Sequence, residues 1–261
     1  MSRAVSSSSR LACAASLCAV LGCTGQAERE LARGNEAARR GHFEEAQKAF
    51  AAAVKDRPTD AHAHALLGNA LCALNRTPEA TAAWEEAAKL DPSDADAAVG
   101  LSGAALDSKD AGAALKRLSS LPPAVIEGSL QVRLVRARAL LARGENGDVE
   151  QALADADGVL GRSPADAGAA YLKGSALLAL RRFADAQSTF EALARTQVAS
   201  PLGPYGLARL AAAQSRATDA LLYLKAARQA AGPHWTPRPV AEDPAFAFLS
   251  TSDDFKDLVR Q

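Results

Sequence analysis

The chain has 261 residues, 48% of them hydrophobic but only 5% aromatic, and its 30 basic side chains balance 30 acidic ones. It is too apolar to stay disordered, large enough to bury a core, and lacks the positive field of a nucleic-acid binder. Much of its apolar content is alanine, which suits close-packed helices better than a half-buried sheet.

Residues 1–22 read as a signal peptide: Arg3 and Arg10 flank a serine run, the stretch Leu11 to Leu21 is apolar, and Gly22-Cys23 follows. The apolar stretch is about half of the roughly 20 residues that a spanning helix needs. Val20-Leu21-Gly22-Cys23 resembles the lipobox of bacterial lipoproteins, with Leu21 in place of the usual small residue. That resemblance implies cleavage before Cys23, lipidation of its thiol and acylation of its new amino group. The other reading makes Cys23 an ordinary residue near a standard cleavage site. Cleavage would leave 28 basic and 30 acidic side chains. Several acyl chains anchor without a basic patch, since each buried CH₂ contributes about 0.8 kcal/mol. Residues 23–26 form a tether of at most roughly 14 Å, which places the next segment close to its membrane. Thr24 follows the cysteine, and an outer-membrane location facing the periplasm is expected. Cys13 and Cys18 leave with the signal peptide, so the mature chain can close no intramolecular disulfide.

From residue 27 onward the chain repeats itself. Ala46, Ala80, Ala114, Ala152, Ala186 and Ala220 recur at one constant spacing, stretched only between Ala114 and Ala152. Four positions beyond each stands Phe50, Trp84, Leu118, Ala156, Phe190 or Leu224. Such a period marks a repeat array whose units each bury a face against their neighbours. The predicted repeats span 27–60, 61–94, 95–126, 127–166, 167–200 and 201–231, each a helix, a turn and a second helix.

Gly34, Gly41, Phe43, Ala46, Phe50, Ala53 and Pro58 carry the pattern in the first repeat; Leu67, Gly68, Ala80, Trp84, Ala87 and Pro92 carry it in the second. Gly174, Phe183, Ala186, Phe190 and Leu193 repeat it in the fifth. The chain thereby resembles the tetratricopeptide repeat family. The resemblance implies an all-α, right-handed superhelix, an α-solenoid of about six helix-turn-helix repeats with a C-terminal cap.

The third repeat stops early at Pro122-Pro123, a helix near Ser129 opens the fourth, and the turn Gly144-Glu145-Asn146-Gly147 is long. The junction reads equally as a hinge or as an insertion absorbed in a loop. Ala156, where a bulky residue is normal, implies looser packing. Residues 232–261, with Pro233, Pro237, Pro239 and Pro244, form the cap, whose Phe246, Leu249, Phe255 and Leu258 can cover the end of the array.

No catalytic constellation emerges. There is no phosphate-binding Gly-Lys-Ser/Thr loop, no His-Glu-x-x-His helix and no Gly-x-Ser-x-Gly elbow. His62 and His64 lie about 200° apart around a helix and cannot share a metal unaided. Cys72 is read as a buried, inert thiol. No enzyme activity, cofactor, metal or nucleic acid is expected.

In the family, first-helix positions two, five, nine and twelve line a binding groove. Carried onto this sequence, the resemblance implies a groove built from Leu31, Asn35, Asn69, Val99, Leu106, Tyr171, Leu178, Leu202, Tyr205 and Arg209. It is mostly apolar, with tyrosines supplying rigid contact area. Asn35 and Asn69 share one repeat position and read either as a ladder for a ligand's backbone or as tolerated polar residues. The family's basic clamp for a carboxylate tail is missing, because Leu31, Leu66, Asp96 and Gly100 occupy its places.

The leading expectation is a lipid-anchored scaffold that binds another envelope protein and assists assembly, with a loose resemblance to the pilotins of type IV pilus secretins. The alternative is an adaptor that presents substrates to an envelope protease or peptidoglycan enzyme. A module binding a small ligand or peptidoglycan would need polar groups converging in the groove. Charge at Tyr171 and Tyr205 is expected to weaken capture and spare the fold.

Overall fold

The computed structural model describes residues 25–260. The signal peptide, Cys23 and the start of the tether lie outside the described residues. Among the described residues the regular elements are all helical. They form two compact units divided after Val132.

In the first unit, a helix over 25–39 (α1) precedes α2 (Phe43–Asp56), α3 (Ala61–Ala73), α4 (Thr77–Leu90), α5 (Ala95–Asp107), α6 (Ala111–Ser119) and the short α7 (Pro123–Gly128). From α2 to α6 each helix packs on the next, and α3 also meets α5, the first helix of the following pair. The division falls inside α8 (Leu130–Arg143). The second unit continues with α9 (Asp148–Arg162), α10 (Ala167–Ala179), α11 (Phe183–Thr196), α12 (Leu202–Ala213) and α13 (Ala217–Ala231). Again neighbours pack in order from α9 to α13, and α10 meets α12. A 3₁₀ turn at Gly232–His234, α14 (Pro237–Glu242), a 3₁₀ segment at Pro244–Leu249 and α15 (Asp253–Val259) complete it.

Local chemistry sets these boundaries. Asp60, Asp94 and Asp166 stand before α3, α5 and α10, and each carboxylate accepts the amide N–H of the third helical residue, Ala63, Ala97 or Ala169. Between the two helices of a pair the chain reverses through one residue of positive φ. Gly41 (76°) and Asn75 (59°) suit that conformation, whereas Lys109 (63°), Arg181 (57°) and Ser215 (58°) adopt it with a Cβ. In the fourth repeat Gly144 (69°) and Gly147 (83°) serve the longer turn.

The packing rule is a bulky side chain set against small ones. Ala46, Ala80, Ala114, Ala152, Ala186 and Ala220 are fully buried, so the alanine beat marks helix contacts. A Cβ on Gly68 or Gly100 would lie 2.5 or 2.2 Å from the Trp84 indole, and one on Gly174 or Gly206 would lie 2.3 or 2.2 Å from the Phe190 ring. Each aromatic is thus gripped by one glycine from the first helix of its own pair and one from the first helix of the next pair.

The fourth repeat departs from this arrangement. Buried Ala137 of α8, seven residues before the positive-φ Gly144 as Gly68 is before Asn75, takes the place of the glycine, and buried Ala156 of α9 takes the place of the aromatic. Arg136 donates from Nε to Asp155 Oδ2 at 2.7 Å and from Nη2 to Oδ1, and Asp155 is 2% exposed. The Asp155 charge beside Ala156 is thereby neutralised by a bidentate partner on the other helix of the pair. The sequence reading also missed α7, which Pro123 starts at a first-turn position where its missing N–H costs nothing.

The tail folds over the last pair. Val240, Phe246, Leu249, Phe255 and Leu258 form one core with Ala208, Ala211, Ala220 and Leu224. Trp235 donates its indole N–H to the Leu258 carbonyl at 3.2 Å, and Lys225 meets Asp254 at 2.8 Å. These contacts make residues after 232 a terminal cap for α12 and α13.

Candidate functional site

In the first unit, α1, α3 and α5 present the side chains assigned to the groove. Asn35 is exposed, Val99 is half-buried, and Leu31 is half-buried against the core around Phe50. Asn69 is exposed but committed on one side, since its Oδ1 accepts the Trp84 indole N–H at 2.9 Å. It satisfies the one polar atom of the aromatic that the glycines grip. Leu106 is buried at the end of α5 and offers little surface to a partner. Cys72 corrects the expectation outright: it lies in the last turn of α3, exposed rather than buried. His62 and His64 diverge, His62 toward Asp96 at 3.9 Å and His64 toward the Pro58 carbonyl at 2.9 Å.

In the second unit α10 and α12 bring the aromatic and polar members together. The Tyr171 and Tyr205 rings lie 6.2 Å apart, Tyr171 is 6.0 Å from Phe190, and Tyr205 meets Phe246 edge-on at 5.9 Å. Leu178 is half-buried beside Leu177 and Phe190, and Leu202 is half-buried at the start of α12. Arg209 donates from Nη1 to the Tyr171 hydroxyl over 3.5 Å.

The residue that sequence reasoning missed here is Asp243. It was legible only as a helix start, and one carboxylate oxygen does cap the following 3₁₀ segment, Oδ1 accepting Ala245 N–H at 2.9 Å. Its other oxygen accepts the Tyr205 hydroxyl at 2.7 Å and lies 3.2 Å from Arg209 Nε, an ion-pair contact. Burial and the Asp243 charge push the Tyr205 phenol above its ordinary range. Burial opposes the Arg209 charge, but Tyr171 and Asp243 outweigh it and hold the guanidinium above its usual value. Tyr205 and Arg209 therefore dock the cap, and a substitution at Tyr205 removes the bond to Asp243. Tyr171 makes no contact with Asp243 and keeps part of its surface open.

A second recess lies between α9, α10 and α11, an open cleft of about 360 Å³ edged by Asp166, Lys173, Ser188, Thr189 and Gln197. Its lysine is already neutralised by Asp157 at 2.8 Å. Among the described residues there is no cluster of three or more His, Cys, Asp or Glu side chains that could hold a metal. No helix among them is long and apolar enough to cross a membrane.

Helix pairs stacked in sequence, with Trp84 and Phe190 each held between two glycines, define a helical repeat scaffold. The tetratricopeptide repeat model matches residues 31–84, 67–121, 134–204 and 171–234, well over half of the chain. The chain belongs to the tetratricopeptide repeat family, whose fold is a protein-interaction scaffold.

Among solved structures it is similar to Pseudomonas aeruginosa PilF, at 16% identity over 90% of this chain and 97% of that one, with a TM-score of 0.62. PilW, a widely conserved type IV pilus biogenesis factor, is similar at 14% identity over 90% of this chain and 98% of its own, with a TM-score of 0.64. YrrB, a tetratricopeptide repeat protein with an unusual peptide-binding site, is similar at 19% identity over 72% of this chain and 95% of its own, with a TM-score of 0.51. At these identities the likeness is one of fold. No curated protein sequence matches the chain.

Proposed function

We propose that this chain is a bacterial outer-membrane lipoprotein, anchored through Cys23 and facing the periplasm, whose repeats bind another envelope protein and help assemble or localise it. It binds and does not catalyse. The observation that carries the scaffold reading is that packing leaves side chains at recurrent first-helix positions at least partly open: Asn35, Asn69 and Val99 in the first unit, Tyr171, Leu178 and Leu202 in the second. Such surfaces, apolar with scattered amide and phenol groups, suit an extended or helical apolar segment of a partner. The Val20-Leu21-Gly22-Cys23 sequence supports the anchor. PilF and PilW match nearly end to end, and PilW is a pilus biogenesis factor, which supports a pilotin-like role toward a secretin.

Crosslinking in intact bacterial cells, followed by affinity purification and mass spectrometry, tests this reading. The native chain should fractionate with the outer membrane and capture a secretin or another envelope assembly protein. The Cys23→Ala form should leave the membrane fraction and lose that partner. A hydrolase as the reproducible partner would favour the adaptor role, and unchanged membrane fractionation of Cys23→Ala would remove the anchor.

A further inference from the structure

Tyr171 and Tyr205 occupy the same position in successive repeats, and the chain shows what that position does with a carboxylate. At Tyr205 the phenol donates to Asp243 Oδ2 at 2.7 Å while Arg209 Nε stands 3.2 Å from the same oxygen. At Tyr171 the equivalent phenol faces the other side of the same guanidinium, Nη1 at 3.5 Å, but has no carboxylate beside it. The Tyr171 hydroxyl proton is unspent, as is Arg209 Nη2, and the Arg209 side chain is 33% exposed.

We infer that Tyr171 and Arg209 form a seat for a carboxylate of the partner protein, an aspartate or glutamate side chain within an otherwise apolar segment, one repeat before the Tyr205–Asp243 contact. The inference rests on the scaffold reading and names the chemistry of its partner. A carboxylate fits because it can take the Arg209 fork and the Tyr171 proton together, as Asp243 takes Arg209 and Tyr205. Asp243 already neutralises the one cation, so recognition depends on directed donors more than on net field. Asp243 also limits the site: removing its charge should strengthen binding of a second carboxylate.

The test titrates N-acetyl-glutamate α-methylamide and its glutamine counterpart into the chain while NMR follows the Arg209 Nε–H and Tyr171 amide signals. A saturable shift is expected with the glutamate probe and not with the glutamine one. It should be about tenfold weaker in Tyr171→Phe, the loss of one hydrogen bond to a charged group, and tighter in Asp243→Asn. Equal responses to both probes, no saturable response, or an unchanged Tyr171→Phe titration would overturn the seat. Partner capture is read separately. If Tyr171→Phe captures the native chain's partner undiminished, the seat has no part in recognition and the scaffold reading stands. If the native chain captures no partner, the scaffold reading fails and the seat's assignment to a partner falls with it.

Discussion

The Tyr205 hydroxyl donates to the Asp243 carboxylate across 2.7 Å, joining α12 to the start of the second 3₁₀ segment and fastening the cap to the last helix pair. Tyr205→Phe keeps the ring against Phe246 and removes only that bond, so stability should fall by about 1.5–3 kcal/mol, measured as the shift of a denaturant midpoint. The contact also makes stability depend on alkaline pH. The folded phenol is held above its ordinary range, so its contribution is complete below the unfolded value of about 10. Above that pH the unfolded chain releases the proton and the folded one retains it, and stability declines as pH rises. Tyr205→Phe should flatten this part of the decline.

Trp84 sits between two glycines, and both should resist a methyl group. Gly68→Ala and Gly100→Ala each place a Cβ within 2.5 Å of the indole and should cost about 1–3 kcal/mol. Trp84→Leu in the Gly68→Ala background imitates the Ala208 and Leu224 pair of the sixth repeat and should recover part of the loss. Thermal unfolding of the single and double variants gives the coupling; strict additivity would mean that the two residues do not compete for the same space.

Arg136 and Asp155 join the two helices of the fourth repeat through a bidentate ion pair. Arg136→Ala leaves the Asp155 carboxylate buried without this partner and should cost about 3–5 kcal/mol. Urea unfolding measures the loss, and an unchanged midpoint would show that the pair contributes nothing to stability.

Ser215 holds a φ of 58° in the turn between α12 and α13. Ser215→Gly relieves the left-handed strain, and the greater freedom of glycine in the unfolded chain offsets part of the gain. A net stabilisation of about 0.5–1 kcal/mol is expected, read as a rise in Tm.

Cys72 is exposed on α3. A maleimide reagent should therefore modify it fully in the absence of denaturant, as followed by intact-mass spectrometry. Modification only after unfolding would restore the buried reading.

The helix pairs were legible in the sequence because their signals are local. The alanine beat, the Pro58 and Pro92 breaks, and the Asp60, Asp94 and Asp166 caps act within a few residues of where they stand. Even the grip on Trp84 and Phe190 is written there, as Gly68 and Gly100 or Gly174 and Gly206 equally spaced to either side, although only packing gives that spacing a meaning. The tertiary structure alone decided contacts between elements remote in sequence. It paired Arg136 with Asp155 and turned Cys72 outward. It also led the proline-rich tail back so that Asp243 meets Tyr205 and Arg209, leaving Tyr171 as the open member of the pair. Helical periodicity determines which face of a helix is apolar; which side chain meets it follows from volume, charge and the path of the connecting chain, and those are settled only when the pieces pack.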